Sequence, residues 1–229
     1  MDPVRIQELL EPFLSPQPLS FRRTEGREES AAVSTATLSP LQLQNILTYI
    51  DLLLRWNSSM NLTAVRRPEQ IITRHFGESL FAARHIFPLA SEDCRLIDVG
   101  SGAGFPGLPI KIWAPHIRLA LIESSQKKAT FLREAVRTLT LTNVDVVCAR
   151  AENFPSTAEV VTLRAVEHFG QILPVAARLV APKGRLAILI GSSQVDQARD
   201  LIPTLVWETP IQTPLAASTV LLIGRRDAS

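Results

Sequence analysis

The stretch Leu96-Ile97-Asp98-Val99-Gly100-Ser101-Gly102-Ala103-Gly104-Phe105-Pro106-Gly107 decides the fold. Its first residues finish an apolar run, Arg95–Val99, that predicts a strand covered on both faces. The alternate glycines that follow permit a tight, closely approachable backbone that a residue with a Cβ resists. Gly107 opens an apolar segment reaching Trp113, which predicts a helix. Strand, glycine turn and helix in this order mark the place where open α/β sheets hold ligands, at the carboxyl ends of their strands.

Downstream, apolar runs at Ile117–Glu123, Val144–Cys148, Glu159–Arg164 and Arg185–Gly191 predict four further strands. Helical segments at Gln126–Leu139 and Glu167–Ala181 alternate with them, the second stopped by Pro182-Lys183-Gly184. Leu205–Gln212 and Ser218–Arg225 follow, separated by a proline-containing turn, and predict a terminal hairpin. Upstream, Ser39 is an N-cap with Pro40 at the first helical position, and Leu43, Ile46, Leu47, Ile50, Leu53 and Leu54 recur at helical spacing up to Trp56-Asn57. A second helix opens at Pro68 and passes through Ile71, Ile72, His75, Ser79 and Ala83. The expected fold is a doubly wound, mostly parallel α/β sheet with a C-terminal antiparallel hairpin and an N-terminal helical extension. Residues 15–37 lack apolar periodicity and predict a mobile linker behind a short amphipathic segment, Val4–Leu14. The expected division is a leader over 1–37 and one domain over 38–229, with helices in 38–88 and the sheet in 89–229.

The 229 residues carry 24 Lys+Arg, 22 Asp+Glu and 46% hydrophobic side chains, which excludes a collagenous or largely disordered chain. No apolar run approaches the ~18–20 residues of a membrane span. The opening Met1-Asp2-Pro3-Val4-Arg5 has no basic end followed by an apolar core, so a cytoplasmic protein is expected. Cys94 and Cys148 are expected as buried, reduced thiols. Four histidines without CxxC or HExxH spacing predict no metal site. The net charge of +2 conceals a division: four basic against six acidic side chains in residues 1–37 give −2, leaving +4 for the remainder. Residues 55–85 carry +3 and residues 109–151 carry +4.

The glycines can be read in two registers. Gly102, Gly104 and Gly107 form GxGxxG, in which a dinucleotide pyrophosphate rests on the helix N-terminus. Asp98, Gly100, Gly102 and Gly104 form DxGxGxG, the S-adenosylmethionine (SAM) fingerprint of class I methyltransferases, where no phosphate needs cradling. Both readings expect an acidic residue at the end of the second strand for the ribose hydroxyls, and Glu123 fills that place. Asp98 ahead of the glycines and the hairpin ending favour SAM. Arg150-Ala151-Glu152 follows the third strand, where methyltransferases contact the adenine.

The methyl of SAM is a strong electrophile, so the protein mainly positions a nucleophile in line with it. Methylation of an adenine or cytosine amino group goes with an Asn/Asp-Pro-Pro-aromatic motif after the fourth strand. Leu163-Arg164-Ala165-Val166 stands there instead. Pyrimidine C5 transfer needs a cysteine nucleophile, and neither Cys94 nor Cys148 suits that role. Guanine N7 fits better, because it has a lone pair and no proton to remove. Arg164, at the ligand end of the fourth strand, suits a phosphate, a carboxylate or the guanine O6/N7 edge. His75 is expected to be a structural hydrogen-bonding residue between helix and sheet.

These residues carry a family resemblance. Trp56-Asn57, Asn61-Leu62-Thr63-Ala64, Arg74-His75-Phe76-Gly77-Glu78-Ser79-Leu80, the 98–109 glycine stretch, Lys127 to Arg133, Leu141-Thr142-Asn143-Val144, Arg150-Ala151-Glu152 and Arg164-Ala165 resemble, in order, the RsmG (GidB) family over roughly residues 41–191. The resemblance implies a SAM-dependent methyltransferase acting on N7 of a guanosine in 16S rRNA, met as RNA, small ribosomal subunit or assembly particle. It implies SAM contacts at Gly100, Phe105, Glu123, Ala151, Glu152 and Arg164, and makes Arg164 and Glu78 the candidate catalytic pair. Three positions depart from the family pattern: Glu78 replaces Asp, Leu163 replaces Ser, and Ile190 replaces the Lys of a Leu-Lys-Gly strand end. RNA contact requires neutralised phosphates, for which Arg66, Arg67, Arg74, Lys127 and Lys128 are the candidates. The alternatives are a SAM-dependent small-molecule methyltransferase and a nucleotide-binding regulator without catalysis.

Overall fold

Ser39 starts the first long helix as the sequence predicts. Its hydroxyl accepts from the Gln42 N–H while the Gln42 side chain accepts from the Ser39 N–H, closing a capping box ahead of Pro40. In the computed structural model, which describes residues 2–15, 37–87, 94–165 and 168–228, this helix is α2 (Pro40–Met60). It is preceded by α1 (Pro3–Leu14) and ends at Asn61 in the left-handed conformation. The predicted second helix is three pieces: α3 (Pro68–Gln70), a π-helical segment (Ile71–Gly77) and α4 (Glu78–Ile86). Helix α1, the described part of the expected leader, packs on the domain. Ile6, Leu10, Phe13 and Leu14 are buried in the main core, and Arg84 donates to the Phe13 and Ser15 carbonyls at 3.2 and 2.9 Å. The linker expected over 15–37 lies almost wholly outside the described residues.

The predicted strands form one sheet: β1 (Arg95–Val99), β2 (Arg118–Ile122), β3 (Val144–Val147), β4 (Ala158–Arg164), β5 (Val180–Gly191), β6 (Val206–Trp207), β7 (Ile211–Gln212) and β8 (Thr219–Arg225). Its order is β3-β2-β1-β4-β5-β8-β6, with β7 also on β8; the first five strands are parallel and β8 runs antiparallel to β5. The connecting helices are α5 (Gly107–Trp113), α6 (Gln126–Thr138), α7 (Phe169–Arg178) and α8 (Val195–Leu201). Three predictions need correction. Strand β5 starts at Val180 rather than Arg185, because Val180 already pairs with Ala158 of β4 ahead of a register shift, so Pro182-Lys183-Gly184 lies within the strand. Helix α7 stops at Arg178 rather than Ala181, because the Pro182 ring would clash with the carbonyl four residues earlier and disfavours a helical Ala181. The hairpin's first arm is broken into β6 and β7, with Pro210, which has no N–H to donate, between them. Helix α8 gave no periodic signal over its seven residues. Cys94 and Cys148, expected to be buried, are thiols outside any disulfide and only partly buried.

Apolar residues on the two faces of the sheet form two cores, one beneath α1–α6 and one beneath α7 and α8. The glycine turn is pressed between β1 and α2. Tyr49 of α2 is fully buried, donates its hydroxyl to the Ala103 carbonyl, and stacks on Phe105 with ring centroids 5.3 Å apart. That approach explains Gly104: at φ +87, a Cβ there would collide with the Tyr49 hydroxyl and sit 2.6 Å from Leu108 Cδ1. Gly102, also left-handed at φ +57, has only the Gly100 carbonyl within 4 Å of such a Cβ, at 3.8 Å. Both Gly→Ala changes add left-handed strain of ~1 kcal/mol, but only Gly104→Ala adds overpacking of ~1–3 kcal/mol. Urea denaturation should therefore show a clearly larger loss for Gly104→Ala than for Gly102→Ala.

Candidate functional site

Asp98 is completely buried behind the glycine turn rather than facing a ligand. One carboxylate oxygen accepts from the Gly107 N–H at 3.2 Å, the first turn of α5, and the other from the Thr162 hydroxyl of β4 at 2.7 Å. Burial raises its pKa to about 6, against the opposing effect of those hydrogen bonds and of Arg164. The expected cofactor residue is thus a brace between β1, β4 and α5. Glu123, at the end of β2, holds the outer side of the turn. It accepts from the Gly102 N–H at 2.9 Å through one oxygen and from the Ser125 N–H at 2.7 Å through the other.

Across the turn, Arg164 at the end of β4 ties the sheet to the N-terminal helices. Its Nη2 donates to Glu78 Oε2 at 2.8 Å and to the Arg74 carbonyl at 2.6 Å; its Nη1 lies 3.1 Å from His75 Nδ1. Glu78 and Arg164 are nearly buried, with side chains 6% and 12% exposed, so this is a desolvated, charge-assisted ion pair. A guanidinium has only donors, so Nδ1 of His75 must accept and its proton resides on Nε2. Nε2 lies 2.8 Å from Thr63 Oγ1. Burial first, then Arg164 and Arg74, pull the His75 pKa down to about 3 and keep the ring neutral. The ring also stacks on Phe105 at 4.8 Å. His75 therefore bridges helix and sheet, as the sequence reading expected.

Between these groups lies a cleft of about 730 Å³. Gly100, Gly102, Phe105, Glu123, Glu152 and Arg164 all line it. Asp98 and Gly104 do not. Ala151, also expected there, is buried in the second core. Of the two lysines read as RNA contacts, Lys128 lines the cleft and Lys127 is exposed. Arg66, Arg67 and Arg74 are exposed, and Arg74 lines a second pocket of about 210 Å³ with Glu78, Arg164 and Ile190. Arg164 and Ala165 border both cavities. Thr63 and the α7 residues Gln171 and Ile172 line the cleft unforeseen. For Thr63 the available signal was its place in the Asn61–Ala64 motif; for the α7 residues no local pattern marks them. Among the described residues no cluster of His, Cys, Asp or Glu is placed to hold a metal, and no helix is long and apolar enough to cross a membrane.

Residues 42–209 match the GidB family, described as rRNA small subunit methyltransferase G. The chain belongs to this family. A Ribosomal RNA small subunit methyltransferase G of Xylella fastidiosa (strain 9a5c) is 39% identical over 186 residues, covering 79% of this chain and 85% of the relative. The protein of that name from Xanthomonas campestris pv. campestris (strain B100) is 39% identical over 169 residues, covering 69% and 77%. Among solved structures, a ribosomal protein L11 methylase from Lactobacillus delbrueckii subsp. bulgaricus superposes with TM-score 0.54 at 12% identity, covering 66% of this chain and 79% of its own. A SAM-dependent methyltransferase from Aquifex aeolicus gives 0.51 at 14%, covering 62% and 88%. These structural likenesses concern the fold.

Membership in the GidB family makes the chain a SAM-dependent methyltransferase. The cleft suits that cofactor: Gly102 leaves it open, and Glu123 and Glu152 supply acceptors at two successive strand ends. Of the family departures, Glu78 still reaches Arg164 despite its longer arm, and Leu163 and Ile190 are buried in the second core. His75 provides a direct check. The unfolded imidazole takes a proton near pH 6.5, the folded one only near 3, so the unfolded state binds more protons between those values. His75 thus lowers stability as pH falls through that window, whereas Asp98, whose pKa is raised, has the opposite effect between about 4 and 6. The stability difference between wild type and His75→Gln should shift in favour of the variant as pH drops from 7 to 5. Nitrogen NMR at pH 5 should show His75 neutral with its proton on Nε2.

Proposed function

We propose that this chain transfers the methyl of SAM to N7 of a guanosine in 16S rRNA. The observation that carries this reading is the junction at Arg164 and Ala165, where the cofactor cleft meets the second pocket. Both acid–base side chains at that junction are committed. Glu78 is the counter-ion of Arg164, and His75 is neutral with Nδ1 turned to the same guanidinium. Asp98 is sealed behind the turn. An acceptor in the second pocket that must lose a proton would find the Glu78 carboxylate already engaged, while the exposed His168 lines the cofactor cleft and not that pocket. Guanine N7 has no proton to lose. When bound, SAM supplies an electrophilic methyl, and the chain's contribution is alignment and exclusion of water.

Holding the cofactor falls to Gly100, Gly102, Phe105, Glu123, Glu152 and Arg164. Ile190 and Leu163 give the second pocket apolar walls for a base, and the Glu78 carboxylate offsets positive charge developing on the methylated ring. The exposed Arg66 and Arg67 continue the loop whose Leu62–Ala64 lines the cleft, and are placed to take phosphates of the surrounding RNA. The substrate is then a small-subunit rRNA or ribosomal particle in the cytoplasm.

Small ribosomal subunits lacking the modification, incubated with the protein and methyl-labelled SAM, should acquire label at a single guanosine whose chain cleaves at 7-methylguanine. Label on an amino group or a pyrimidine carbon would refute N7 transfer, and label on a metabolite alone would refute the RNA substrate. The double change Arg66→Glu, Arg67→Glu should weaken RNA binding and flatten the log–log salt dependence by about 1–2 units, leaving SAM affinity unchanged. An unaltered salt slope would remove both arginines from the RNA surface.

A further inference from the structure

Thr63 was not expected at the cleft, and its hydrogen bonds leave it one role. The backbone places it firmly: Asn57, itself buried, donates to the Thr63 carbonyl at 3.0 Å and accepts from the Thr63 N–H at 2.9 Å. Its hydroxyl oxygen receives two hydrogen bonds, from the Val65 N–H at 3.1 Å and from His75 Nε2–H at 2.8 Å. The second direction is enforced by Arg164, which donates to the far side of the ring. With both lone pairs engaged, the hydroxyl hydrogen is free to serve an acceptor in the cleft that Thr63 lines.

Sheet order identifies that acceptor. Along the carboxyl edge, the strands run β3, β2, β1, β4, so Glu152, Glu123, the glycine turn and Arg164 follow one another. A cofactor with its adenine near Glu152 and its ribose at Glu123 has its amino-acid part between the turn and Arg164, beside His75 and Thr63. Two cations stand at this end, Arg164, which is paired with Glu78, and the exposed Arg74. We infer that the Thr63 hydroxyl, oriented through the Arg164–His75 relay, donates to the methionyl carboxylate of SAM. His75 is in this respect a positioning residue and Thr63 a cofactor-binding one. The inference rests on family membership for the identity of the cofactor and on this chain's hydrogen bonds for the role of Thr63.

Calorimetry with S-adenosylhomocysteine and with its decarboxylated counterpart, which keeps the amine, tests it. Thr63→Val should weaken S-adenosylhomocysteine binding on the order of tenfold, as expected for losing a hydrogen bond to a charged group. It should change binding of the decarboxylated ligand by less than about twofold, because the lost partner is absent from both sides of that comparison. Thr63→Ser should restore the wild-type preference, and His75→Phe, which keeps a ring against Phe105, should lower that preference without abolishing binding. Equal losses for both ligands would make Thr63 a support of the loop and overturn the inference. Unchanged cofactor binding with a raised KM for RNA would place the hydroxyl against the acceptor base and overturn it equally. Failure of the wild type to bind either ligand would instead refute the cofactor assignment.

Discussion

One guanidinium joins the two halves of this molecule. Arg164 stands at the end of β4, yet its partners are Glu78, the Arg74 carbonyl and His75, all from the helices before the sheet. A buried ion pair adds little net stability when compared with apolar packing, but losing one partner strands a buried charge at ~3–5 kcal/mol. Its consequence here is orientation. Because a guanidinium cannot accept a hydrogen bond, it dictates the tautomer of His75 and thereby the direction of the Thr63 hydroxyl. It also borders both cavities, so the same group that assembles the site lies at their junction.

The rest of the site is built by backbone held from behind. Asp98 and Glu123 flank the glycine turn, one buried beneath it and one at its rim, and each binds backbone N–H groups. Desolvating Asp98 is costly, as its raised pKa shows, and the hydrogen bonds from Thr162 and Gly107 offset that cost in part. Lys111 illustrates the same economy away from the site. Its ammonium is buried and donates to the Pro115 and Ile117 carbonyls, both at 2.6 Å, closing the turn between α5 and β2. It belongs by sequence to a basic stretch, but its charge is spent inside the fold.

Much of the architecture was legible because it repeats simple rules. The five parallel strands announce themselves as apolar runs, and α2 by its N-cap, proline and period. The shorter pieces were less legible. Helix α8 has only Val195 and Ala198 buried, too few positions for a period to emerge. The π segment lies within an otherwise helical pattern, and Ile71, Ile72 and Phe76 are buried whichever way that backbone is wound. Helix α1 was read as amphipathic, but its packing on the domain depends on a fit that no pattern reveals. A Cβ on Gly77 would stand 2.6 Å from the Phe13 ring.

The site divides along the same line. The glycine turn, Glu123, Glu152 and the ligand-edge position of Arg164 follow from local order along the chain, since strand ends and their loops are set by neighbouring residues. Together with the motifs spread over residues 56–80 and 127–144, those features carried the family resemblance and the cofactor it implies. What each side chain does there depended on groups far away in sequence. Asp98 looked like a ligand contact and became a brace because α5 folds back over it. That Lys128 stands on the cleft wall and Lys127 does not follows from how α6 packs, not from the local sequence. Thr63 carried no chemical signature of its own. It acquires a direction only when Arg164, about a hundred residues later, turns the His75 ring that links them. Composition and spacing determined the kind of protein; hydrogen-bond direction, a property of residues brought together in space, was decided only by the tertiary structure.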